Sequence, residues 1–209
     1  MLTLGIVNMY DKIKIVDAHY RAIARAAPIC YAFGFSLALY DFPFKMTVDE
    51  LVEFVRDQTT IGESGRFLDL LNKEHHLYVA DLPPKGFPAH FGSIVVTTSK
   101  PYPQKLLTPL DVADGNMKKR SYMFLVGLGR KGLPKDLFER AEYHLDITEK
   151  RISLETCTAI GAIPTQINAL TFALEQSRRY GLTKEYLKNA RQEQLQEQDR
   201  SGKSENRDL

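Results

Sequence analysis

Two cysteines, Cys30 and Cys157, are all that 209 residues provide, and they lie far apart on stretches that read as apolar helix faces. A pair so placed fits buried reduced thiols, argues against a disulfide framework and leaves no cysteine cluster for zinc. The adjacent histidines His75 and His76 have no Cys, Asp or Glu at a usual ligand spacing, so turn residues are expected there and no metal. Excess charge is missing too. Twenty-eight Lys and Arg stand against 26 Asp and Glu, a formal net charge of +2, so no chain-wide basic field points to nucleic acid. Nor does any apolar run approach the roughly 20 residues of a bilayer span, and residues 1–10 lack the charged start of a signal peptide. A cytoplasmic protein without membrane contact is expected.

Hydrophobic residues make up 44% of the chain, enough at this length for one domain with a sizeable core. Strands and helices alternate along it. Residues 2–7 are an apolar run suited to a parallel strand covered on both faces. A helix is expected over 17–33, with Ile23, Ala26, Ala27 and Cys30 on one stripe, a kink at Pro28 and a stop at Gly34. The second strand spans 36–40. Thr47 and Glu50 form a capping box for a helix to about residue 57. A loop over 59–65, a short helix opened by Ser64 and a brief strand at 77–79 follow. Because 43–80 exceeds a minimal crossover, it reads as a helical insertion. Residues 93–97 are a β-branched strand, and 101–117, punctuated by proline and glycine, reads as an irregular connection.

The informative stretch is 121–163. It reads as a buried strand over 122–126, a glycine-bracketed loop, a short helix opened by Pro134 and a second strand over 143–147. A further loop then delivers Ser153 to a long helix running from Leu154 to Gly181, bent at Pro164, with Ile160, Ile163, Ile167, Leu170 and Leu174 as its apolar stripe. Loops leaving the carboxyl ends of strands are where open α/β sheets bind ligands. Gly127, Gly129 and Gly132 let bare backbone groups approach such a ligand. Around the same site Lys100, Lys105, Lys118, Lys119, Arg120, Arg130 and Lys131 are expected to gather as a basic cluster, the pattern phosphate binding needs. Residues 182–209 are charged and Gln-rich, and a partly disordered tail is expected.

Taken alone, Gly127, Gly129 and Gly132 also match the dinucleotide pattern G-x-G-x-x-G, with Asp146 as ribose acceptor, which would make the chain an NAD-dependent oxidoreductase. That pattern belongs at the first strand–helix turn and needs several strands after it, whereas only one strand and helices follow here.

GLGRKGLP at 127–134, followed by DLFERAEYHLDIT and SLETCTAIGAI, resembles the second and third motifs of the SPOUT (SpoU and TrmD related) RNA methyltransferases. The run 22–27 with Phe33-Gly34-Phe35 resembles the first SpoU motif, and 94–99 resembles the strand ending in Thr-Thr or Thr-Ser that walls the cofactor site. Four positions depart from the SpoU pattern: His19 stands where it has Asn, Arg21 where it has Gly, Gly129 where it has Glu, and Glu155 where it has Asn.

The resemblance implies an α/β, SPOUT-like parallel sheet flanked by helices, its last helix threaded as a C-terminal trefoil knot, in a divergent and archaeal branch. The SPOUT-like domain would cover 1–181, with 43–80 inside it. It implies S-adenosylmethionine (SAM) as cofactor, held by Thr97, Val126, Gly127, Gly129, Gly132, Ile147, Ser153 and Leu154. RNA, either tRNA or rRNA, is the implied substrate and a homodimer the implied assembly. Arg25 matches the arginine used near a target ribose hydroxyl, and Glu155 is a candidate base or substrate-orienting group or else a helix cap. His19 is a candidate proton acceptor or an ordinary structural histidine. Two readings follow: a SAM-dependent RNA methyltransferase, 2′-O-ribose favoured over base, or a non-catalytic SPOUT-fold protein that binds RNA or assists ribosome assembly.

Overall fold

The computed structural model describes residues 1–60 and 65–180, with the isolated positions 189 and 192. The expected tail and the start of a helix at Ser64 lie outside the described residues. Six strands form one sheet: β1 (Leu2–Asn8), β2 (Phe35–Tyr40), β3 (Leu77–Ala80), β4 (Ser93–Thr97), β5 (Tyr122–Leu128) and β6 (Tyr143–Leu145). Their order is β3-β2-β1-β5-β4-β6 and every pairing is parallel. The helices are α1 (Asp17–Phe33), α2 (Val48–Gln58), α3 (Arg66–Lys73), α4 (Pro109–Met117), α5 (Lys135–Arg140) and α6 (Thr156–Arg179).

Alternation along β5 shows why the sheet is buried on both faces. Tyr122, Phe124, Val126 and Leu128 join the larger core with α1, α2, α3 and α6, while Met123 and Leu125 join the smaller one with Leu133, Leu137 and Ala141 around α5. Parallel strands need such cover on each side. The stripe Ile160, Ile163 and Ile167 seats α6 in the larger core. By length and composition α6 reaches what a bilayer span requires, contrary to the expectation that no stretch does; Thr, Gln and Asn interrupt its apolar run without lowering the mean hydropathy below 1.2.

Local signals explain several boundaries. Gly34 ends α1 in the left-handed conformation at φ 66°, with its N–H returning to Cys30 and Tyr31 carbonyls. Thr47 accepts from the Glu50 N–H while Glu50 reaches back to the Thr47 N–H, the reciprocal box that opens α2. The segment 43–80 carries α2 and α3 and ends in β3, an edge strand paired to β2, so it forms the crossover between parallel neighbours. One expectation needs correction. Residues 101–117 are not wholly irregular, because Thr108 and Asp111 form a second capping box with Pro109 in the first turn, and α4 follows.

Connections from the neighbouring strands β1 and β5 diverge: β1 leads through α1 to β2, and β5 leads through α5 to β6 on the other side. A crevice opens beyond the carboxyl ends of strands at such a switch point.

Candidate ligand-binding site

The crevice holds a cavity of about 640 Å³ lined by the segments after β1, β4, β5 and β6, by α1 and by the first turns of α6. Its glycine loop is built by close backbone approach. A Cβ on Gly127 would lie 2.6 Å from the Gly132 carbonyl carbon and 2.7 Å from the Leu133 nitrogen, so the loop can fold back onto β5 only because no side chain stands there. Gly132 turns the chain at φ 64° and its N–H donates to the Gly129 carbonyl at 3.2 Å. Two threonines lock the frame. Thr97 Oγ1 donates to the Leu125 carbonyl at 2.8 Å, and Thr156 Oγ1 donates to the Gly127 carbonyl at 2.9 Å, tying β4 and α6 to β5.

The ten residues expected to hold SAM or act on the substrate all line this cavity, namely Thr97, Val126, Gly127, Gly129, Gly132, Ile147, Ser153 and Leu154, with Arg25 and Glu155, whereas the further candidate His19 does not. Tyr10, Arg21 and Cys157 also line it and were not singled out. Tyr10 follows the carboxyl end of β1, the position that the switch-point rule marks.

Arg25 projects from α1, and its Nη1 lies 3.6 Å from Cys157 Sγ on α6. Cys157 is therefore half-buried on the cavity wall rather than enclosed as expected, because the first turn of α6 opens onto the crevice; Cys30 is fully buried. Burial raises the Cys157 thiol pKa and the Glu155 charge adds to that, with Arg25 opposing. Glu155 is the N-cap of α6, its Oε2 accepting from the Cys157 N–H at 2.8 Å and the Thr158 N–H at 3.3 Å. One carboxylate oxygen is thus committed to the helix, while the residue stays on the wall.

His19 is not a free proton acceptor. Its Nδ1 accepts from the Val16 N–H at 3.2 Å, so its Nε2 carries the proton and donates to Asn8 Oδ1 at 3.0 Å in a buried setting. Asn8 also accepts from the Tyr10 N–H and donates to the Asp11 and Asp41 carbonyls, which uses all its capacity. The pair clamps the turn between β1 and α1. Desolvation lowers the His19 pKa, with the Asp11 charge partly opposing. Asp146, the candidate ribose acceptor, has its carboxylate closed by its own loop, accepting from the Thr148 N–H and hydroxyl and from the Arg151 N–H at 2.7 Å.

The expected basic cluster divides. Arg130 and Lys131 line the cavity. Lys105 donates to the carbonyls of Phe138, Glu139 and Ala141, capping α5, and Lys118 pairs with Asp114 at 2.7 Å. Residues 118–120 precede β5 and so stand at the opposite end of the parallel sheet. The cavity wall still carries Arg21, Arg25, Arg130 and Lys131 against Asp146 and Glu155. No group of three or more His, Cys, Asp or Glu that could hold a metal is found among the described residues.

The all-parallel sheet with a glycine-lined crevice at its switch point is a fold this chain shares with solved methylase structures. The chain covers 85% of itself and 69% of a "probable methylase family protein" from Haemophilus influenzae at TM-score 0.54 and 15% identity. Against TrmJ from Zymomonas mobilis the values are 81% and 70%, TM-score 0.52 and 16% identity. The chain belongs to the family described as protein of unknown function DUF531, whose model matches residues 2–168. An uncharacterised protein of Methanocaldococcus jannaschii is 50% identical over 170 residues, 81% of this chain and 95% of that protein.

Two predictions follow from this geometry. Gly127→Ala should destabilise the protein by roughly 1–3 kcal/mol, the cost of overpacking against backbone, while Gly86→Ala, with open space at its Cβ position, should stay within about 0.5 kcal/mol of wild type; urea denaturation measures both, and equal midpoints would refute the close-approach account. For His19, the unfolded chain takes up the proton first as pH falls, because the native pKa is lowered. Its stabilisation is complete above the ordinary value of 6.5 and is lost progressively below it. The urea midpoint should therefore drop between pH 7.5 and pH 5.5 (~2 units spanning that value), and His19→Gln should flatten this slope. An unchanged slope in the variant would remove His19 as its cause.

Proposed function

We propose that this chain is a SAM-dependent RNA methyltransferase. The observation that carries the reading is the cradle at Gly127, where the approach of Gly132 and Leu133 leaves backbone rather than side chains facing a ligand. It stands in the fold shared with methylases, beside the basic wall of Arg21, Arg25, Arg130 and Lys131. Thr97, Val126, Gly127, Gly129, Gly132, Ile147, Ser153 and Leu154 would hold SAM, which supplies an activated methyl group when bound. The rest falls to the chain's own groups. Arg25 would bind a phosphate or draw down the pKa of a ribose hydroxyl by its charge, which favours the 2′-O position, and Cys157 limits the swing of its guanidinium. Glu155 would orient the nucleotide through the oxygen not used in capping.

One observation favours a second reading, a non-catalytic RNA-binding protein. Glu155 is engaged as a helix cap and His19 is locked in scaffolding, so Arg25 would act without a free base from either.

Calorimetric titration with SAM, with NAD as control, separates the readings. SAM binding with a 1:1 stoichiometry per chain is expected. Arg25→Ala should retain it while reducing transfer of radiolabelled methyl groups to cellular tRNA and rRNA at least about 100-fold, the scale of a lost transition-state charge contact. Failure of wild type to bind SAM would leave the non-catalytic reading, and NAD binding alone would overturn both.

The same proposal includes a homodimer and a threaded, knotted last helix. Support for the dimer comes from α6, whose outward face carries Thr165, Asn168, Ala169 and Phe172, the last 61% exposed. Gly161 has nothing within 4 Å of its Cβ position, so no contact among the described residues explains a helix-interior glycine that costs about 1 kcal/mol against alanine. A second α6 approaching there would. Light scattering should give twice the 23.8 kDa chain mass for wild type and the single-chain mass for Phe172→Glu; a monomeric wild type refutes the dimer.

A further inference from the structure

We propose that Tyr10 is the stacking platform for a nucleobase of the RNA strand bound at this cavity. The inference rests on the RNA-methyltransferase reading and adds the residue that receives the base. Among the exposed large hydrophobic side chains of the described residues, only Tyr10 and Ile152 also line the cavity, at 48% and 56% exposure.

Tyr10 differs from most of the other described tyrosines in having no structural employment for its side chain, and from Tyr180, which is 79% exposed, in lining the cavity. Tyr20, Tyr31, Tyr40 and Tyr102 each spend the hydroxyl on a partner, namely Asp17, Glu74, the Met123 sulfur and Glu139. Tyr78 packs its ring against Phe91. Among the described residues, the Tyr10 ring has no aromatic contact and its hydroxyl no hydrogen bond. Its backbone is nevertheless held firmly. The Tyr10 N–H donates to Asn8 Oδ1 at 2.9 Å, inside the buried Asn8–His19 clamp, and the preceding Met9 N–H donates to the Leu128 carbonyl at 2.8 Å. Gly129 packs within 3.0 Å of the Met9 carbonyl group, measured from its Cβ position.

An exposed aromatic ring costs free energy in water unless something covers it, and a rigid backbone beneath it reduces the entropy lost when a ligand does. What covers it here is indicated by its neighbours. Arg21, Arg25, Arg130 and Lys131 on the same cavity wall suit phosphate, and a flat ring beside phosphate-binding cations is the pair of contacts that single-stranded RNA offers through its base and its backbone. The target nucleotide, unstacked from its neighbours, would lay its base on Tyr10.

The test uses the full chain and a fluorescein-labelled single-stranded RNA of mixed sequence, read by anisotropy, with SAM titration in parallel. Tyr10→Ala should weaken RNA binding roughly 5- to 100-fold, the range of one base–aromatic stack, while Tyr10→Phe retains it and SAM affinity stays unchanged in both. An abasic strand of the same length should bind wild type and Tyr10→Ala equally. Equal affinity of the normal strand for wild type and Tyr10→Ala overturns the platform and leaves the RNA reading standing. Weaker binding of SAM in place of RNA assigns the ring to the cofactor and also overturns it, as does a parallel loss with the abasic strand. Absence of RNA binding by wild type overturns the RNA reading and the platform with it.

Discussion

The site depends on one contact between backbones. Gly127 at the end of β5 and Gly132 in the returning loop stand too close for any side chain between them. From that approach follow the direction of the loop, the delivery of Leu133 and Leu137 into the smaller core and the start of α5. The Gly127 carbonyl, left outside the sheet ladder, accepts from Thr156 and so fixes where α6 begins. A hydrogen bond of this kind contributes only about 1 kcal/mol net. Its larger consequence is positional, since it sets Glu155, Cys157 and the facing Arg25 relative to β5.

On the opposite side of the crevice the restraint is polar. Asn8 and His19 satisfy one another and four backbone groups in a buried setting, where any unmet partner would cost about 1–3 kcal/mol. The network therefore has few alternatives, and the turn carrying Met9 and Tyr10 inherits its rigidity. Much of the charge nearby is also scaffolding. Lys105 holds the carbonyl end of α5, and Asp146 closes a loop in which Glu149 and Arg151 adopt φ of 55° and 57°, conformations that need such support.

What could be read from the sequence was local. The glycine loop, the Thr47 box, the Gly34 stop and the strand over 93–97 each depend on residues a few positions apart, and their chemistry names the structure directly. The box at Thr108 and Asp111 was equally local, but Pro109 and Gly115 masked it; proline is at home in a first helical turn, and Gly115 lies where the Tyr122 side chain leaves no room for a Cβ. Partners far apart in sequence were not legible. Nothing near Lys105 foretells that it caps a helix 33 to 36 residues later, nor does anything near Cys157 announce Arg25, 132 residues away. Charges therefore looked like a cluster that the sheet in fact divides between its two ends.

Three of the four positions that depart from the SpoU pattern share a place in this structure, and the fourth, Arg21, lines the cavity. His19 locks Asn8, Gly129 lets the glycine loop press against the Met9 backbone, and Glu155 caps α6. Each sits around the junction of β1 and β5, and each is engaged with its surroundings. Two of them, His19 and Gly129, bear on the same short turn after β1. A larger residue at 129 would meet Met9 at about 3 Å, tighter than ordinary contact, and would displace the turn that carries Tyr10. These three departures thus read as one rearrangement rather than separate losses. Their polar groups serve the frame of the crevice, leaving Arg21, Arg25 and the ring of Tyr10 exposed on that wall. On the proposed reading, backbone recognition falls to the glycine loop, which also carries Arg130 and Lys131, and stacking to the opposite wall, so changes that alter the choice of RNA would arise on α1 and its preceding turn without disturbing the cradle.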